Sequence, residues 1–131
     1  MAQLVIANVK IFDGTGREPF HGEVIVDGPR ISSVTAGPAG TRPPGATVID
    51  GTAGTLMPGL IEAHAHLSFP DLFSRDITLL PVEEHMLITV RNAKTMLDCG
   101  YTSAFSAASA KPRLDVVLKR EIEAGRVPGP P

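Results

Sequence analysis

The chain has 131 residues, 43% hydrophobic and 20% charged, with a formal net charge of −2, which is the profile of one ordinary soluble globular domain. That balance offers no basic patch for nucleic acid, and no apolar run approaches the roughly 18 residues that would span a bilayer. A single cysteine, Cys99, excludes an internal disulfide, and with no secretory leader pattern the expectation is a reducing, cytoplasmic setting.

Residues 3–12 are rich in β-branched side chains and predict a strand or a bent pair of strands. Asp13-Gly14-Thr15-Gly16 predicts a turn, because Asp-Gly and a second glycine supply positive φ at little cost. It lacks the Lys-Ser/Thr and helix of a phosphate loop. Residues 22–28 and 30–34 predict a hairpin closing on Asp27-Gly28. Pro38, Pro43 and Pro44 mark an irregular connection, and residues 47–51 a fourth short strand. This β-rich opening, residues 1–56, reads as scaffold.

The stretch Leu56-Met57-Pro58-Gly59-Leu60-Ile61-Glu62-Ala63-His64-Ala65-His66-Leu67 carries the chemistry. Pro58-Gly59 launches an apolar run, expected to be buried, that ends in two histidines one residue apart. Alternate side chains of a strand share a face, so His64 and His66 lie on one side and Ala65 on the other. Two imidazoles about 6 to 7 Å apart along a strand can lean onto one cation, and neutral imidazole favours zinc. Such a pair on a half-exposed strand also reads as plain polar surface. Glu62 shares the histidine face and reads either as structural or as a carboxylate that orients a ligating histidine by hydrogen bonding.

Residues 68–81 have no clear period and predict a long loop, with Pro70, Asp71, Arg75 and Asp76 within it. Residues 82–99 predict a helix whose apolar stripe is Val82, Met86, Val90, Ala93 and Leu97, widened by Leu87. Glu83 and Glu84 suit its first turn and Gly100 its C-terminal cap. His85 reads as a solvated surface histidine beside that acidic pair, and Cys99 as a small buried hydrophobe. Residues 101–105 predict a second strand, making a parallel, right-handed βαβ unit. Residues 112–124 predict a second helix with Leu114, Val117, Leu118 and Ile122 inward, Pro112 in its first turn and Gly125 at its end.

The block Met57 to Leu67 resembles the first barrel strand of the amidohydrolase superfamily, whose pattern is Pro-Gly-hydrophobic-Ile-Asp-x-His-x-His, and most resembles the imidazolonepropionase-like and prolidase-like branch. The resemblance implies an α/β fold: a small N-terminal β-sandwich subdomain over 1–56, then over 57–131 the first two βα units of a (β/α)8 barrel. Such a barrel typically needs ~250 residues, so the chain, ending in Val127-Pro128-Gly129-Pro130-Pro131, is expected to be a truncated piece. It departs from the family at two places. Glu62 stands where Asp is usual, and Gly100 to Ala107 lacks the Arg-Asp that often closes the second strand.

By the same resemblance His64 and His66 are expected to hold the more buried metal of a site with one or two divalent ions, zinc in the family's manner. A lysine, two further histidines and an aspartate come from later strands. The metal lowers the pKa of a bound water and polarises the carbonyl of a small-molecule amide or cyclic amide, and the late aspartate serves as general base. No catalytic residue falls within this chain, and two imidazoles are too few for a closed zinc site. The expectation is therefore a non-peptide C–N hydrolase that is inactive alone and is completed by further chain, an oligomer or a second polypeptide. The alternative is a noncatalytic α/β module assembling through its open barrel edge.

Overall fold

Alternation of apolar side chains builds the first sheet. In the computed structural model, which describes residues 3–37, 40–70 and 77–131, strand β1 (Gln3–Ile11) buries Val5, Ala7, Val9 and Ile11 on one face, the period of two that a one-sided sheet requires. A bulge falls between Ile6 and Val9. It places Asn8 at φ 55°, a left-handed conformation that asparagine tolerates better than most residues, and the Asn8 amide donates to Asp50 Oδ1 at 3.1 Å.

Strand β2 (Phe20–Asp27) runs antiparallel to β1, and β3 (Arg30–Ala36) antiparallel to β2. Strands β4 (Thr47–Asp50) and β5 (Thr55–Leu56) pair with β1 in parallel, completing a five-stranded mixed sheet of order β3-β2-β1-β4 with β5 also on β1. Val9, Ile11 and Val24 form its core, flanked by Ile6, Phe20, Val26 and Leu56. Glu23 is buried in this sheet, and its carboxylate accepts from Arg42 Nε at 2.9 Å, the pairing that a buried charge needs.

The division between the two compact units falls after Pro58. The expected continuous buried run from Leu56 to Ile61 does not form. Leu56 ends β5 in the first sheet, and β6 (Leu60–Ala65) starts a second sheet after Pro58-Gly59. Proline has no amide to donate, so a ladder does not continue through it. Leu60 and Ile61 are exposed, Ile61 at 74%, opposite to the expectation.

The second unit is the expected βαβ arrangement. β6 pairs in parallel with β7 (Tyr101–Ser106), and helix α1 (Val82–Asp98) connects them. Hydrogen bonds from Leu60 N to Gly100 O at 2.9 Å and from Ala107 N to Ala65 O at 2.8 Å bracket the pair. Gly100 takes φ 90° at the end of α1, the conformation a helix C-terminus favours for glycine. Helix α2 (Leu114–Glu123) buries Leu114 and Leu118. It begins after Arg113, at φ 70°, so Pro112 precedes the helix instead of opening it.

The stripe of α1 differs from the expected one. Its buried residues are His85, Thr89 and Ala93, spaced four apart, while Val82 and Leu87 are exposed. Two polar residues can face inward because each has a partner: His85 meets the Ser68 carbonyl, and Thr89 Oγ1 donates to the His85 carbonyl at 2.8 Å. Among the described residues, no helix is long and apolar enough to cross a membrane.

Candidate metal-ligating site

Strand alternation positions the histidine pair. Ala65 is buried, whereas His64 and His66 on either side of it are exposed. Their ring centroids are 5.0 Å apart with planes at 74°, and Phe69 meets the His66 ring edge-on, with centroids 4.8 Å apart. His66 stands just beyond the end of β6, and its carbonyl accepts the Phe69 amide at 3.0 Å. The second ring is thus held by a turn as well as by a strand.

Glu62 shares this region, but its carboxylate does not reach either ring as a hydrogen-bond partner. Glu62 Oε1 accepts the backbone N–H of His64 at 3.0 Å. The contact steadies the backbone that carries the first ring and leaves Oε2 for another donor.

The donor chemistry fits a divalent metal in part. Two neighbouring imidazoles on one exposed surface, backed by the buried Ala65, suit zinc or a similar ion. They fall short of the three protein ligands zinc takes even when catalytic. Among the described residues, no group of three or more His, Cys, Asp or Glu side chains gathers to hold an ion. Residues 71–76, where the expected loop carries Asp71 and Asp76, lie outside the described residues.

An open cleft of about 510 Å³ borders the pair on one side, lined by His66, Phe69, Arg91, Asn92, Cys99 and Tyr101 among others. It runs down the flank of α1, and His64 is not in its wall, so it is not a pocket for both rings. Cys99 is exposed there, not the buried hydrophobe expected. His85 is fully buried and not the solvated surface histidine expected.

A further polar contact had no signal in the sequence. At the end of β7, where the resembling family often carries Arg-Asp, Ser106 Oγ donates to Asp115 Oδ2 from the start of α2. Asp115 Oδ1 is buried without a hydrogen-bond partner among the described residues. A carboxylate thus reaches the top of this strand from the following helix, nine residues on.

No protein-family model and no curated protein matches the chain. Solved structures do. A prolidase complexed with N-methylphosphonate-L-proline is 28% identical with a TM-score of 0.83, over 98% of this chain and 30% of its own. An amidohydrolase is 27% identical with a TM-score of 0.82, over 98% and 30%. Phenylurea hydrolase B is 26% identical with a TM-score of 0.82, over 98% and 29%. The chain therefore spans about 30% of the length of the structures it matches.

Proposed function

We propose that this chain, which corresponds to the N-terminal portion of an amidohydrolase-superfamily protein, supplies two metal-ligating histidines, His64 and His66, to a hydrolase of carbon–nitrogen bonds. The observation that carries the reading is the pair itself: two imidazoles with ring centroids 5.0 Å apart at the end of a strand paired in parallel with β7. Its support is the likeness, over 98% of the chain, to a prolidase, an amidohydrolase and a phenylurea hydrolase. A prolidase is among them, so peptide C–N bonds belong to the substrate class alongside amides and ureas. The expected restriction to non-peptide bonds finds no support in these likenesses.

In this reading the divalent ion, most simply zinc, supplies Lewis-acid polarisation of the scissile carbonyl. This chain's own residues do the holding. β6 and the turn after it set the spacing of the two rings, Glu62 steadies the His64 backbone, and Phe69 packs edge-on against the His66 ring. The remaining ligands and the general base come from outside these residues, through further chain, an oligomeric copy or a completing polypeptide. The single exposed Cys99 agrees with a reducing, cytoplasmic setting.

Elemental analysis of the natively purified protein with whatever copurifies tests this, for the wild type and for His64→Ala/His66→Ala. Alongside it, the release of amine from an Xaa-Pro dipeptide and an N-aryl urea is assayed. Bound zinc, manganese or iron that disappears in the double mutant, together with amine release, is the expected outcome. Metal content unaffected by the double mutation sinks the reading.

A further inference from the structure

His85 stands apart from the ligand pair, fully buried on α1. Its Nε2 lies 2.5 Å from the carbonyl oxygen of Ser68. A carbonyl only accepts, so that nitrogen carries the proton, and Nδ1 is left as a buried lone pair with no hydrogen-bond partner among the described residues. A leucine here would remove the orphaned nitrogen but would strand the Ser68 carbonyl instead. The imidazole carries that cost, and what it holds is the turn directly after β6.

That turn is fastened from several sides. Ser68 is itself fully buried, and its Oγ accepts the amide of Ala110 at 2.9 Å from the segment after β7. Asn92, seven residues along α1 from His85, donates to the Leu67 carbonyl at 2.9 Å. Phe69 then returns its amide to the His66 carbonyl and its ring to the His66 imidazole. The route from His85 to His66 is therefore short: Ser68 carbonyl, Phe69, His66.

We infer that His85 is a positioning residue that sets the orientation of His66 by clamping the turn Leu67–Phe69 onto α1. This rests on the reading of His64 and His66 as metal ligands, since it is that role the orientation would serve. Residues outside a metal's ligand set that orient its ligands commonly govern affinity by about 10- to 100-fold.

The test compares the full chain with His85→Leu, His85→Gln and His85→Asn. Glutamine places a donor near the position of Nε2, whereas asparagine is one methylene too short. In the metal-free protein the imidazole resonances of His66 and the exchange rate of the Phe69 amide are followed, with His21 on β2 as the internal control. Cobalt(II) titration follows. In His85→Leu and His85→Asn the His66 resonances move while those of His21 stay, Phe69 exchanges about tenfold faster, and cobalt affinity falls about tenfold. In His85→Gln the His66 resonances keep their wild-type positions, and Phe69 exchange and cobalt affinity stay within about threefold of wild type.

Wild-type His66 resonances and Phe69 exchange in a folded His85→Leu or His85→Asn overturn the inference, as do equal losses in the Gln and Asn variants. Should the wild type bind no cobalt, the ligand reading fails, and the ring and exchange measurements still decide the clamp. If His85→Leu does not fold, the Gln and Asn pair carries the comparison.

Discussion

Gly59 and Thr102 approach so closely that a Cβ built on Gly59 would lie 2.0 Å from Thr102 Oγ1 and 2.6 Å from Thr102 Cβ. The glycine of the Pro58-Gly59 launch is therefore required by a neighbour on β7, one residue before β6 begins. It lets β6 reach the register in which Leu60 faces Tyr101.

Gly59→Ala is expected to destabilise the protein by about 1–3 kcal/mol, the range for overpacking. Thr102→Ala removes Oγ1 and Cγ2 but leaves the Cβ, so the double variant should recover only part of the loss. A double-mutant cycle by urea unfolding measures the coupling. Additive losses would show that the two residues do not oppose one another.

The ion pair of Arg42 with Glu23 gives a second prediction. Glu23 is buried at 4% exposure, so removing its partner leaves a carboxylate without its charged donor. Arg42→Met should cost about 1–3 kcal/mol, and adding Glu23→Gln should restore part of it. Thermal unfolding of the single and double variants checks this. A double variant less stable than Arg42→Met would contradict it.

Acid should act through Asp50 and Asp13. The Thr52 hydroxyl, then the Asn8 amide and the Thr52 backbone N–H, hold Asp50 below the ordinary 3.8. The Thr15 hydroxyl and backbone, with Arg17 behind them, do the same for Asp13. A carboxyl with a folded-state pKa below its unfolded value contributes stability above the unfolded value, and loses it as pH falls through the folded one. The unfolding temperature should therefore drop as pH falls from about 4 toward 2. Asp50→Asn should show a shallower drop over the same window. Parallel profiles for the two proteins would remove Asp50 from the account.

The sequence carried the strand pattern well where one face is buried. Val5, Val9 and Ile11 alternate in β1, and the hairpin at Asp27 and the parallel pair around α1 fall where turn chemistry and helical period put them. Strand β6 was legible because Pro58-Gly59 and the two histidines punctuate it. What was not legible depends on partners distant in sequence. His85 reads as surface by its acidic neighbours, yet the Ser68 carbonyl, 17 residues earlier, draws it inside. The same contact rotates the buried stripe of α1 toward His85, Thr89 and Ala93, leaving Val82 and Leu87 in solvent. Asp115 meets Ser106 only because the start of α2 returns to the end of β7. Periodicity records which faces are apolar, and it does not record a polar group made acceptable by a hydrogen bond.

The most direct measurement is a zinc titration of the ¹⁵N-labelled chain observed at the imidazole nitrogens of all four histidines. The account predicts that the ring signals of His64 and His66 move together with added zinc, that His21 and the buried His85 do not follow, and that His64→Ala abolishes the response of His66. Zinc-independent spectra for both rings, or equal responses from His21, would contradict the assignment of this pair as metal ligands.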